Sequence, residues 1–421
     1  MPATRQRVAG YLPNTTIMKN YLYGCMAAVL LLTASCGKET VAPIKPPVVN
    51  PPTTGGGGTT DPAVSVYLTK AKETNNFIVG NLLTSYRSYR VNTTTDPNSA
   101  FEWYNVSQIY ADAAMIANGD ASYLASMNLT FKWMDNMWDK NDPIGGYFAF
   151  AKLDGSGSSG TKYVDDNSLS GMVYLDAYEV TTGADKAAYL DKAKQCANWL
   201  IKSGLFDNTY GGGFWWNTER KVKPTQTNGV ALQLFSKLYI ITGDATYKDW
   251  AISVNAWLNS KMYDSASGLY VWQFEETGIR NNTIFTYDNA IMVEAFLLFA
   301  QATNDNNYVS RAQAVGNAMN RVLWDAPHNV YIFNTNDRRI TPCWCGWATQ
   351  AMIKLYQTDN NATWLNYAKG NLDAINTVLR NPANNGYFQF AGLDGAGKYS
   401  NYEGVDQAWM QRLQVMLSKY K

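Results

Sequence analysis

Two consecutive carboxylates, Asp165 and Asp166, stand directly before Asn167 and an apolar stretch of helical spacing. An amino-terminal cap uses one acidic side chain, and a second beside it adds repulsion, so capping alone does not account for the pair. Two carboxyl groups are the minimum equipment for hydrolysing a glycosidic bond, and that chemistry calls for no cofactor. Side chains of consecutive residues at a helix entrance diverge, but their carboxyl groups can lie a few ångströms apart. That suits the about 5–5.5 Å separation of retaining enzymes better than the wider gap that admits a water. Like charges so close push one group toward its protonated form, giving one ionised nucleophile and one acid. Other polar and aromatic residues cluster in comparable places: Trp103 and Tyr104, Trp215, Trp216 and Asn217, Asn228, Tyr287 and Asp288, and Asp406. Flat indole and phenol rings pack on pyranose faces while Asn and Asp bond hydroxyls, so these are candidate sugar-binding residues. The plainer reading makes the aromatics core and the Asp and Asn residues helix caps.

Composition narrows the chemistry further. The 421-residue chain carries a single histidine, His328, which excludes a Ser-His-Asp triad, a His-rich zinc site and a two-histidine epimerase. Its 35 basic and 34 acidic residues give +1, without the broad basic footprint of a nucleic-acid binder. No grouping of His, Cys and carboxylates has metal-ligand spacing outside the Asp pair, so no metal and no cofactor are expected. Cys196, Cys343 and Cys345 form no disulfide framework, and Cys343-Trp344-Cys345 reads as structural.

The elements that must position these residues recur. Gly145–Gly157 and Asn385–Gly397 agree at nine of thirteen positions with an offset of 240, and weaker Gly-aromatic echoes occur at 212–216, 268–272 and 329–333. The spacing is about 60 residues, the mark of a repeat architecture. Each unit holds two amphipathic stretches. One precedes the aromatic loop (64–90, 121–139, 185–202, 245–260, 307–322, 362–378); the other follows it (103–118, 166–181, 228–242, 288–302, 346–357, 406–419). Strand-like alternation is confined to the short Gly-aromatic loops. Six helical hairpins predict an all-α fold, an (α/α)6 toroid spanning residues 63–421, with an open solenoid as the alternative. In the toroid the second helices line the inside, and their amino termini and the aromatic loops meet at one mouth. Partial positive charge gathers there and favours carboxylates.

The first 62 residues read as an address and a tether. Lys19, the apolar run 27–32 and the small residues 33–35 before Cys36 have the form of a signal peptide over 1–35. Leu32-Thr33-Ala34-Ser35-Cys36 resembles a bacterial lipobox, so Cys36 is the expected lipidation site. Residues 36–62, with prolines and Gly55–Gly58, form a spacer without a core. The expected mature protein is an exported monomer, held by lipid at the cell surface or facing the periplasm.

The Asp165-Asp166-Asn167 helix start, Gly211–Asn217 (Gly-Gly-Gly-Phe-Trp-Trp-Asn), Thr227-Asn228-Gly229 and Tyr287-Asp288-Asn289-Ala290 together resemble glycoside hydrolase family 76 over roughly residues 65–419. The resemblance implies an (α/α)6 barrel and retaining endo-α-1,6-mannanase activity on α-mannan. It also implies that Asp165 is the nucleophile and Asp166 the acid/base. One departure is Ser168-Leu169, where an aromatic commonly follows the Asp-Asp-Asn. A lipid anchor fits a Bacteroidetes-type glycan-degradation system. Two other classes compete: a non-catalytic glycan-binding lipoprotein on this fold, which would tolerate loss of the aspartates, and another (α/α)6 enzyme such as an unsaturated-uronyl hydrolase, which would need more basic residues in these loops.

Overall fold

The computed structural model describes residues 65–420; the signal segment, Cys36 and the tether lie outside the described residues. Twelve α-helices are present among them, in two concentric rings. The inner helices are α2 (Glu102–Ala117), α4 (Val164–Val180), α6 (Thr225–Thr242), α8 (Thr286–Thr303), α10 (Pro342–Asp359) and α12 (Gly404–Leu417). The outer ones are α1 (Val66–Asn81), α3 (Leu124–Met134), α5 (Gly183–Lys202), α7 (Ala245–Trp257), α9 (Asn307–Val322) and α11 (Ala362–Leu379). Each inner helix packs on the next inner one, and α12 packs back on α2, so the ring closes as a toroid and not a solenoid. Each inner helix also pairs with the outer helix that follows it, and α1 completes the last pair with α12.

Tight turns join each of the first five inner helices to its outer partner on the face away from the mouth. Helix α6 ends on Gly243 at φ 72°, and Asp244 then accepts the Thr246 N–H at 2.9 Å to cap α7. Helix α10 ends on Asn360 at φ 57°, and Asn361 caps α11 through the Thr363 N–H at 3.0 Å. Gly and Asn tolerate the left-handed turn, and Asp and Asn favour the next cap. The first outer helix is shorter than its periodicity suggests. It stops at Asn81, and residues 82–90 turn back on themselves, with Leu83 bridged to Tyr89. Leu82, Leu83, Tyr86 and Tyr89 imitate helical spacing but belong to the sixth aromatic loop. Inner helices begin one to four residues earlier than the apolar spacing suggests, so Asp165, Asp166, Asp288 and Asp406 lie inside the first turn and are not N-caps.

Two sets of hydrogen bonds fix the loops at the mouth. The first N–H of each inner helix is taken by a carbonyl from the next repeat's loop: Glu102 by Ala149, Val164 by Trp216, Thr225 by Trp272, Thr286 by Phe333, and Gly404 by Val91. Helix α10 begins with Pro342, which has no N–H to satisfy. In addition, an amide at the fourth helical position of five inner helices grips the loop leading into its own helix. Asn105, Asn167, Asn228, Asn289 and Gln407 each accept, at 2.7 Å, the N–H of Tyr89, Tyr147, Phe214, Tyr270 and Tyr387, respectively. Their amide groups donate back to the same residue's carbonyl. Cys345 holds that position in α10, and Asn371 of α11 takes over the bond to Tyr331.

Asn228 is thereby reassigned. It is fully buried, with its amide donating to the Phe214 and Pro224 carbonyls, so it is a loop staple and not a sugar ligand. Gly229 beside it permits close approach of α6 and α8: a Cβ there would lie 2.5 Å from the Ile291 side chain.

Deeper along the axis, one side chain from each inner helix joins a buried polar plug. Arg412 contacts Asp176 (3.1 Å), Gln350 (2.9 Å) and the Tyr110 carbonyl (3.2 Å). Gln350 donates to Glu294 at 2.8 Å, and Lys237 pairs with Asp176 at 2.6 Å. Burial opposes ionisation of Asp176, but Lys237 and Arg412 outweigh it and bring its pKa down to about 2.

Asn228→Ala leaves the Phe214 N–H and carbonyl buried without partners, each worth about 1–3 kcal/mol. Chemical denaturation should therefore show a loss of about 2–4 kcal/mol. Unchanged stability with weakened sugar binding would restore Asn228 to the binding site.

Candidate active site

Asp165 and Asp166 occupy the second and third positions of α4, where the ring of inner amino termini converges. The loop before α6 crosses them: Val164 N–H bonds the Trp216 carbonyl at 2.8 Å, and Trp216 Nε1 donates to Asp165 Oδ2 at 2.8 Å. Asp165 Oδ1 also accepts the Asp166 N–H at 3.2 Å. Burial raises the Asp165 pKa to about 6, while the Trp216, Asp165 and Asp166 N–H groups and Gln226 pull the other way. Asp166 is placed differently. Its Oδ2 is buried with no hydrogen-bond partner, and burial, then the charges of Asp165 and Glu102, push its pKa well above the usual carboxylate range. Both acids are raised, but the groups around Asp165 favour its ionised form and those around Asp166 favour its protonated form.

Glu102, the first residue of α2, is a third carboxylate at this point and is fully buried. It accepts a hydrogen bond from Ser170 Oγ. The apolar spacing alone begins this helix at Trp103 and leaves Glu102 outside it; its place at the same ring of amino termini is the signal that marks it. Asp288 and Asp406 repeat the position of Asp166 in α8 and α12. Asp288 is fully buried, faces the Gln226 N–H, and is held by burial well above the usual carboxylate range. Asp406 accepts the Cys343 N–H at 3.0 Å and so ties α12 to α10.

The aromatic candidates divide by strand alternation. Trp216 faces Asp165, with Tyr163 against it at a ring separation of 4.9 Å. Trp215 turns away: its Nε1 donates to Asp207 at 2.7 Å and its ring lies under Lys223. Asn217 is also buried, holding the Glu219 N–H at 2.9 Å. Trp215 and Asn217 are therefore loop core and not sugar ligands. Trp103, Tyr104 and Tyr287 line the mouth in a run of contacting rings. Phe150 stacks on Phe101 (4.5 Å), followed by Tyr104 (5.1 Å), Trp103 (5.6 Å), Trp344 (5.2 Å) and Tyr287 (4.7 Å). The Tyr287 hydroxyl feels the charges of Asp288 and Asp165, which places the end of this run beside the acid pair. Tyr104 OH donates to Glu403 at 2.8 Å. Gly213 enables the crossing of the Trp216 loop, since at φ 82° a Cβ would strike the Trp257 ring at 2.4 Å. Cys196, Cys343 and Cys345 are free and buried.

A closed ring of six helical hairpins, with acids and aromatic rings at one mouth, is the architecture of a class of carbohydrate-active proteins. Within that class the chain belongs to glycosyl hydrolase family 76, whose profile matches residues 70–345. Among solved structures, a family 76 α-mannanase of Bacteroides thetaiotaomicron aligns with a TM-score of 0.73 at 22% identity, covering 84% of this chain and 96% of its own. An inactive α-1,6-mannanase variant of Salegentibacter with two adjacent Asp→Asn substitutions, in complex with α-1,6-mannotriose, aligns at 0.68 and 18% identity, covering 84% and 99%. A cellobiose 2-epimerase of Bacillus thermoamylovorans shares the fold at 0.68 and 13% identity, covering 83% and 98%. A comparison with curated protein sequences returns no match.

The Trp216–Asp165 contact is testable. Trp216→Phe keeps a ring but removes the N–H that favours ionised Asp165, so the acid's pKa should rise from about 6. The acid limb of the kcat/KM profile should move to higher pH by about half a unit or more, with activity above pH 8 less affected. An unmoved limb would sever Trp216 from the titrating group.

Proposed function

We propose that this protein is a retaining glycoside hydrolase that cleaves α-1,6-mannosidic bonds of mannan, with Asp165 as nucleophile and Asp166 as acid/base. The observation that carries the reading is the unequal treatment of the pair: Asp165 receives the Trp216 and Asp166 N–H groups, whereas the buried Asp166 Oδ2 receives none and faces two carboxylates. Asp165 is thus suited to be ionised while Asp166 holds a proton. A carboxylate oxygen of Asp165 attacks the anomeric carbon as Asp166 passes its proton to the departing glycosidic oxygen. A β-linked glycosyl-enzyme results. Asp166, now ionised, takes a proton from water, whose oxygen displaces Asp165 and restores the α configuration. In the run from Phe150 to Tyr287, the exposed Phe150 and part-buried Tyr104 and Trp344 offer faces to sugar rings, backed by the buried Trp103 and Tyr287. Family membership supports a glycosidase, and the Salegentibacter relative's bound α-1,6-mannotriose supports the linkage.

The epimerase fold match does not favour a second reading, because the chain's one histidine, His328, is bonded to Asp325 at 2.6 Å in the turn after α9. The reading includes export and lipid attachment at Cys36. Labelled palmitate should enter the full chain in its host and not a Cys36→Ser variant; equal labelling of both would remove the anchor.

Leaving-group chemistry separates the two aspartates. Linear α-1,6-mannan should yield α-anomeric product first by proton NMR, and β product would mean inversion. Asp166→Ala should lose about 10²–10⁴-fold on mannan yet keep most of its first step on an α-mannoside with an acidic aryl leaving group. Added azide should then give α-mannosyl azide. Asp165→Ala should be inactive on both substrates, and the mirror-image result would reverse the roles.

A further inference from the structure

The third carboxylate has no part in a two-acid mechanism, yet Glu102 is buried completely between α2 and α4. Its position is specified. Ser170 lies four residues after Asp166 on α4, so the two side chains share one helix face a turn apart. By accepting the Ser170 hydroxyl on Oε1, Glu102 is set against the turn below Asp166. Its other oxygen, Oε2, is buried with no hydrogen-bond partner, and so is Asp166 Oδ2. Two orphaned carboxyl oxygens on neighbouring helices are costly while both groups are ionised.

The charges around the pair point the same way. Glu102 is opposed by burial first and then by Asp165, with Ser170 favouring its ionised form. Asp166 has no side-chain donor and is opposed by burial, Asp165 and Glu102. The other groups facing them are Tyr163 toward Asp166, and Tyr147, Tyr174 and Cys196 toward Glu102. All are acids held neutral above their ordinary range, and none supplies a counter-charge. Three carboxyl groups without a cation do not all ionise together.

We propose that Glu102, fixed by Ser170, is the positioning residue whose negative charge keeps Asp166 in its acid form while Asp165 is ionised. This rests on the assignment of Asp166 as acid/base. The proton resides on Asp166, because Ser170 donates to Glu102 and nothing donates to Asp166. During the first step it leaves for the glycosidic oxygen, and the proton taken from water in the second step returns it. Glu102 is unchanged over the cycle.

The test is the basic limb of activity on α-1,6-mannan. Glu102→Gln removes the negative charge and presents an N–H to Asp166, so the limb should fall by about one pH unit or more, roughly a tenfold loss above it. Ser170→Ala should move it in the same direction and Ser170→Thr should restore it. Hydrolysis of the acidic aryl mannoside, whose departure needs no proton, should keep its first-step profile in all three; a general structural fault would depress both substrates at every pH. The titration is also read without substrate, from the side-chain carboxyl signals of 13C-labelled aspartate by NMR, with Asp166→Asn assigning the resonance. If the wild type cleaves no mannan but its Asp166 resonance still titrates lower in Glu102→Gln, the role of Glu102 stands and the mannanase reading falls. A basic limb and an Asp166 resonance both unmoved by Glu102→Gln overturn the proposal.

Discussion

Everything at the mouth depends on how the inner helices satisfy their first backbone N–H groups. A helix end leaves these donors without partners inside the helix, and in a closed toroid six such ends face one another where little water reaches. Here the next repeat's loop supplies the carbonyl, in each case but that of α10, which begins with proline. The same loops are gripped from the other side by an amide at the fourth helical position. A loop held at both ends has a set path, and that path sends Trp216 to Asp165 and Trp215 away from it.

The donors left over explain why acids gather there. Each first turn has further N–H groups and a partial positive charge, which carboxylates at the second and third positions complement. Asp406 uses this for structure, bridging to the Cys343 N–H. The equivalent Asp166 has no such partner, and its neighbours are acids. A position that serves as a tie in one repeat is left with an unpartnered oxygen in another because the compensating donor is absent. Deeper in the ring the opposite holds: Asp176 is met by Lys237 and Arg412 and stays ionised. One interior therefore keeps a balanced polar plug and an unbalanced acid cluster on the same helix, α4.

Much of this was legible in the sequence. The 60-residue period and the two helices per unit point to six helical hairpins, the packing of α12 on α2 decides for the toroid over the solenoid, and the adjacent aspartates stand out as a pair. The limits have physical causes. Leu82, Leu83, Tyr86 and Tyr89 keep helical spacing through a hairpin, in which Leu82 and Tyr89 are buried but Tyr86 is exposed, so the spacing does not report one buried face. Asn228 and Trp215 have the chemistry of sugar ligands, but an amide that bonds sugar hydroxyls bonds a backbone equally well, and only the path of the loop distinguishes the two. Glu102 was hidden because its partner Ser170 is 68 residues away.

The last pair of helices is made from the two ends of the folded chain. Helix α1 packs against α12, Tyr67 bonds Asp373 at 3.0 Å, and the Val91 carbonyl waits for the Gly404 N–H. The first helix of the described residues therefore lacks its main partner, α12, until the end of the chain exists. Contacts of this sequence separation are slow to form, and until they do apolar surface stays open to misassembly. Folding of this ring is an event of chain completion, and a molecule interrupted before its final helix leaves its first without its partner.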